Sequence, residues 1–161
     1  MATNVIIDGY NVLGFRGWRG LSSSQDIEKL REQLIEDLFC YWQLKGHTIT
    51  LVFDAWREPS SEYREHRSGV EVVYTGWGER GDQVIQRMVR QFGKDCVIVS
   101  SDLEIIATAK AHSALTISAK EFQCRLETAL QDKKTDKNVE LDSNLAEHGK
   151  IDHSPIIGRL G

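Results

Sequence analysis

The side chains with the most capacity for chemistry in this sequence are aspartates that stand where apolar runs end. Asp8 closes the run at residues 4–7, Asp54 closes residues 48–53, and Asp102 follows residues 96–99 across Ser100-Ser101. Asp82 falls in the first turn of a segment with helical apolar spacing, and Glu79 stands just before it on the same expected face. An acid that closes a buried strand is costly to desolvate unless it is paired or liganded. Each acid also has a structural reading taken alone: Asp102 as a helix cap, Asp54 as a turn residue, Glu79 as an acid favoured by a helix dipole. Their joint placement on one rim is the stronger observation, because carboxylates gathered there repel and a divalent cation relieves the repulsion.

The cation implied is hard and oxygen-seeking. No histidine or cysteine falls at these strand ends, and His47, His66, His112, His148 and His153 are scattered without ligand spacing. Magnesium or manganese, held by one or two carboxylates and completed by water and phosphate oxygens, suits phosphodiester hydrolysis, in which water attacks in line and the charge on phosphorus is offset. Cys40, Cys96 and Cys124 have no paired spacing and read as free thiols.

The elements that must position these acids follow from periodicity. Residues 4–7 read as a strand feeding a turn at Asp8-Gly9, followed by a loop with Gly14, Gly17 and Gly20. Ser22-Ser23-Ser24 offers caps to a helix carrying Ile27, Leu30, Leu34, Leu38, Tyr41 and Trp42, which Gly46 ends. Residues 48–53 form a buried strand, a polar stretch with Pro59, Ser60 and Ser61 follows, and residues 70–74 form the next strand. Residues 79–92 place Val84, Ile85, Met88, Val89 and Phe92 on one helical face, and Gly93 stops them. A strand at 96–99, a helix to about Ala111, a short strand at 115–117 and a helix with Phe122 and Leu126 complete the pattern. Strands alternating with helices predict an α/β fold, a doubly wound, mostly parallel sheet with helices on both faces, whose ligands bind beyond the carboxyl ends of the strands. Residues 1–130 read as one domain. From Gln131 the composition turns polar, so residues 131–161 are expected to be a C-terminal extension, mobile or peripherally docked.

The bulk numbers bound the partners. With 40% hydrophobic and 27% charged residues the balance is that of a globular domain. No apolar run nears the roughly 18 residues of a membrane span, and the opening residues lack a secretory pattern, so a cytoplasmic protein without a membrane partner is expected. A net charge of -4 excludes nucleic-acid binding by global charge, so any such surface must be local. Arg57, Arg64 and Arg67, with Arg16 and Arg19 opposite, are the expected phosphate track; the alternative is that they pair with Glu58, Glu62 and Glu65 as a solvated face. Trp18, Trp56 and Trp77 lie near strand ends, where they would stack on bases or pack on the rim.

The segment Ile6-Ile7-Asp8-Gly9-Tyr10-Asn11-Val12 resembles the opening strand of NYN-domain nucleases. Val52-Phe53-Asp54-Ala55, Glu79-Arg80-Gly81-Asp82 and Val99-Ser100-Ser101-Asp102 resemble the other motifs of the bacterial YacP-like branch, and the resemblance spans residues 3–130. It implies a PIN-like fold and a divalent-metal-dependent endoribonuclease. A characterised member of the branch acts in ribosome-associated mRNA decay, which implies RNA, and mRNA on the ribosome, as partners. Carried over by motif, Asp8, Asp82 and Asp102 are the implied catalytic and metal-binding acids, Asn11 the orienting residue, and Asp54 and Ser101 their supports. The family usually has a small residue such as alanine where Gly81 stands. Two other classes stay open: a phosphatase or phosphoacceptor domain, although Tyr10 occupies the place of a haloacid-type phosphatase's second acid, and a non-catalytic RNA- or ribosome-binding module.

Overall fold

In the computed structural model of the chain, residues 3–54, 62–67, 69–76 and 78–151 are described, 139–151 as backbone alone. Two compact units divide it, Met1–Glu127 and Thr128–Gly161. The elements in chain order are β1 (Asn4–Asp8), α1 (Gly9–Leu13), α2 (Ser24–Lys45), β2 (Thr48–Phe53), β3 (Tyr63–Arg67), β4 (Val70–Tyr74), α3 (Gly81–Phe92), β5 (Cys96–Val99), α4 (Leu103–Ala111), β6 (Leu115–Ile117) and α5 (Ala119–Ile151). The sheet is six-stranded in the order β3-β4-β2-β1-β5-β6. Every pairing is parallel except β3 with β4. The chain builds outward from β1 to β2 and β4, then returns through α3 to the other side of β1. The order therefore reverses between β1 and β5, and the crevice beyond their carboxyl ends is the switch point.

Period-two alternation decides which face each strand residue serves. Ile6, Val52, Val73 and Ile98 share one face, where they pack with Val84, Ile85, Met88 and Val89 of α3 and Ile105 and Ala109 of α4. The residues between them, Val5, Ile7, Leu51, Phe53 and Val72, are buried on the other face, where α2 contributes Ile27, Leu34, Ile35 and Leu38. Each fully buried side chain of this size contributes roughly 1.5–3 kcal/mol relative to exposure. Gly46 ends α2 in the left-handed region, at φ 71°, with its N–H donating to the Trp42 carbonyl at 2.8 Å.

Four details differ from the sequence reading. Asp8-Gly9 leads into a helix, not a turn: a Cβ on Gly9 would lie 2.5 Å from the Phe53 ring and 2.8 Å from the Val52 carbonyl, so only glycine lets α1 start against β2. The polar stretch before β4 contains β3, an edge strand whose sequence Tyr-Arg-Glu-His-Arg has no apolar alternation to betray it. Helix α3 begins at Gly81, leaving Glu79 outside it. Finally, the polar run after Gln131, in which the sequence reading placed no helix, is helical through Ile151 as the continuation of α5. No helix among the described residues is long and apolar enough to cross a membrane.

Candidate active site

Carrying the alternation one step past each strand predicts what meets at the switch point. Asp8 shares a face with Ile6, Asp54 with Val52, and Ser100 with Ile98. The hydroxyl Oγ of Ser100 donates to Asp8 Oδ2 at 3.1 Å and accepts the backbone N–H of Asp102 at 3.1 Å. Asp102 caps α4, its Oδ1 accepting from the N–H groups of Glu104 at 2.8 Å and Ile105 at 3.3 Å. Asn11, on α1, accepts the Ser101 N–H through Oδ1 at 3.1 Å, which ties α1 to the loop between β5 and α4. Asp54 accepts from the Thr75 hydroxyl at 3.3 Å.

Burial raises the Asp8 carboxyl from 3.8 to about 6. Hydrogen bonds from the Ser100 side chain and the Asn11 backbone pull it back down, and the charges of Asp102 and Asp54 push it further up. Asp8 thus titrates well above an ordinary aspartate, chiefly through its burial and in lesser part through two like charges.

Asp82 is the fourth acid. It sits in the first turn of α3, where the helix dipole favours a negative charge, and the Gln83 side chain accepts the Arg80 N–H at 3.0 Å to close that turn. Its side chain is 11% exposed, and the Arg80 Nε at 3.4 Å belongs to a solvent-facing guanidinium. Oδ1 of Asp82 is buried and receives no hydrogen bond. The ion pair at 3.4 Å is a Coulombic contact without hydrogen-bond geometry, so the oxygen still lacks a donor. A buried carboxylate oxygen with an ion-pair partner but no hydrogen-bond donor keeps lone pairs for a water or a cation. Gly81 places the start of α3 against Asp54, since a Cβ there would lie 3.5 Å from that of Asp54. Among the described residues no group of three or more His, Cys, Asp or Glu side chains is placed to hold a metal ion. Magnesium and manganese, which take one or two carboxylates and fill the shell with water and phosphate oxygens, need no such group.

Several other expected residues have partners of their own. Glu79 pairs with Arg87 at 2.8 Å. Arg16 is held between Asp37 at 2.7 Å and the Gln123 side chain at 3.1 Å. Arg64 pairs with Glu62 at 2.9 Å and Glu71 at 2.6 Å, and Arg67 pairs with Glu32 and Glu65. Arg64 and Arg67 are thus engaged with carboxylates on a solvated charged face. Arg19 is exposed. Arg57, Trp56 and Trp77 lie outside the described residues. Ser100 was missed by the motif reading, which took Ser101; strand parity singles it out, because it continues the face of Ile98 while Ser101 offers only its backbone.

The comparisons agree with this architecture. The model of the YacP-like NYN domain matches residues 5–154. The uncharacterized protein YacP of Bacillus subtilis (strain 168) is 26% identical over 129 residues, covering 77% of this chain and 75% of that one. The crystal structure of Rae1 (YacP) from Bacillus subtilis superposes with a TM-score of 0.67 at 24% identity, covering 97% of this chain and 90% of that one. A single-residue mutant of the same protein gives a TM-score of 0.69 at 23% identity over 92% and 89% of the two chains. With nearly its whole length matched, the chain belongs to the YacP-like NYN-domain family, a nuclease-type family.

Proposed function

We propose that this protein is a divalent-metal-dependent endoribonuclease that hydrolyses phosphodiester bonds of single-stranded RNA, with mRNA on the ribosome as its setting and the cytoplasm as its place of work. The observation that carries the reading is the meeting of Asp8, Asp54 and Asp102 at the switch point of a nuclease-type fold, close enough for the latter two to act on the charge of Asp8. The buried, donor-less oxygen of Asp82 supports it. Magnesium or manganese, when bound, supplies a Lewis acid for the phosphate and a nucleophilic water. Of the motif acids Asp8, Asp82 and Asp102, one or two would hold it, with water and phosphate oxygens completing the shell. Ser100 fixes the rotamer of Asp8, lowers its proton affinity and sets the loop that presents Asp102. Asn11 anchors that loop to α1, so the distance between Asp8 and Asp102 is held from both sides. The ribosome enters the proposal through the family resemblance.

The test is incubation of a labelled translated mRNA with the protein, with and without ribosomes, in magnesium, manganese or EDTA. Cleavage that needs a divalent cation and is lost in folded Asp8→Asn protein is the expected result. Cleavage that persists in EDTA overturns the metal, and binding without cleavage in any metal assigns the chain to the non-catalytic RNA- or ribosome-binding class.

A further inference from the structure

On the face of the rim opposite the acids, aromatic rings run in unbroken contact. Tyr63 lies 5.9 Å from Tyr74, Tyr74 5.7 Å from Phe53, Phe53 5.2 Å from Tyr10 and Tyr10 5.0 Å from Trp18, centroid to centroid. Strand register builds the first part of this row, since Tyr63 and Phe53 are both register partners of Tyr74. The N–H of the Trp18 indole, donating to the Tyr10 carbonyl at 3.0 Å, fixes the last. Phe53 is fully buried and forms the floor; Tyr63, at 56% exposed, is open to solvent, and Tyr10, Trp18 and Tyr74 are half-buried. The row reaches the rim beside the acids, because Phe53 precedes Asp54 and Tyr10 follows Asp8 across Gly9.

Over this floor stands Arg31 of α2. Its guanidinium carbon lies 5.9 Å from the Phe53 centroid and 6.0 Å from that of Tyr74, and its Nη1 donates to the Tyr10 hydroxyl at 3.0 Å. Arg16, Arg64, Arg67, Arg80, Arg87 and Arg125 each pair with an acid. Among the described residues no carboxylate pairs with Arg31, so it keeps its whole charge in a chain whose net charge is -4. Cation–π contact offsets only part of what it costs to withdraw a guanidinium from water. An un-neutralised planar cation amid stacking rings matches a nucleotide strand, with phosphate on the fork and bases on the rings.

We infer that Arg31 with Tyr63, Tyr74, Tyr10 and Trp18 over Phe53 forms the seat of the RNA strand on its way to Asp8 and Asp54. The inference rests on the endoribonuclease reading and names where its substrate binds. The strand is single, because bases already stacked in a duplex have no face to offer. The experiment measures fluorescence anisotropy of a labelled mixed-sequence single-stranded oligoribonucleotide in EDTA with the full chain, and cleavage of the same oligonucleotide in magnesium. Arg31→Gln should weaken binding about ten-fold and lower the salt slope by about 0.7, as expected for one lost phosphate contact on a single strand. Arg31→Lys should keep the slope. Tyr63→Ala, which removes an exposed ring and leaves the melting temperature near wild type, should weaken binding about five-fold or more with the slope unchanged. Wild-type cleavage together with unaltered affinity in Tyr63→Ala and in folded Arg31→Gln overturns the seat and leaves the nuclease reading standing. Binding that these variants weaken, with no wild-type cleavage of this oligonucleotide or of the translated mRNA on ribosomes, supports the seat and sinks the nuclease reading; a wild-type chain that neither binds the oligonucleotide nor cleaves either RNA sinks both.

Discussion

The acidic rim and the arginine-rich edge strand treat charge in opposite ways. At the rim, Asp8, Asp54 and Asp102 are brought together with no cationic side chain among the described residues paired to them, and burial lifts Asp8 to about 6. On β3, Arg64 and Arg67 are each matched by two glutamates. The edge can afford its charges, since it is solvated, and a strand end row studded with paired side chains blocks further strand addition. The rim cannot, and like charges held together in a crevice are costly unless something positive arrives. What separates the two regions is neutralisation rather than charge density. A cluster that stays unneutralised in the folded chain points to a ligand, and a neutralised one points to architecture.

The largest effect that follows is from Asp8→Asn. The amide keeps the shape and can still accept from Ser100, so the fold should survive while cleavage falls about 100-fold or more, as several kcal/mol of transition-state stabilisation are lost. In metal-free buffer at neutral pH the same variant should melt higher than wild type. Full activity in folded Asp8→Asn protein would remove the rim from the mechanism.

Ser100→Ala sharpens the comparison, because Ser100 partly relieves the rim. Without its hydroxyl, Asp8 loses a bond that lowers its proton affinity. Hydrogen bonds to charged groups contribute about 1.5–3 kcal/mol. Cleavage should fall about ten-fold near pH 6.5 and less at pH 8, shifting the pH–rate profile to the alkaline side; a uniform loss at all pH values would instead mark a merely structural role.

A third expectation concerns stability alone. The folded-state pKa of Asp8, about 6, lies above its ordinary 3.8, so the folded chain holds that proton more tightly than the unfolded one. The stabilisation from Asp8 is therefore fully present below about pH 4 and is lost as pH rises through about 6, a change of at most about 3 kcal/mol. Melting curves in EDTA from pH 4 to 8 should show wild type losing ground against Asp8→Asn across that window. Parallel curves would mean that Asp8 is not desolvated.

Much of the rim was legible in the sequence, and little of the edge. Asp8, Asp54 and Asp102 end or follow apolar runs of fixed period, so their face and level follow from alternation and from the rule that parallel strands present their carboxyl ends together. The same parity argument finds Ser100. By contrast, β3 is a strand because β4 offers it a partner, and Tyr-Arg-Glu-His-Arg carries no periodic signal of its own. The partners of Arg67 and Arg64 include Glu32 on α2 and Glu71 on β4, which only the tertiary fold brings near. Arg16 was legible as a cation but not as one held by Asp37 and Gln123. The aromatic row was partly visible as residues and not at all as a row, since its contacts cross four separate segments.

The smallest effect comes from Arg64→Ala, and it tests the other half of the comparison. Arg64 is 44% exposed and donates to Glu62 and Glu71, both beside it on the β3–β4 ribbon. Surface pairs of this kind contribute about 0–1 kcal/mol, so the melting temperature should move by only a few degrees at most. An arginine whose fork already faces two carboxylates must break those bonds before it can hold a phosphate, and the exchange gains little. RNA affinity should therefore stay within about two-fold of wild type and the salt slope should be unchanged, since no counterion release depends on a cation that is already neutralised. The measurement is the same anisotropy titration over a range of salt concentrations. A slope that falls by the value of one phosphate contact would show that Arg64 leaves its glutamates for RNA, and pairing in the free protein would then no longer separate an architectural cation from a binding one.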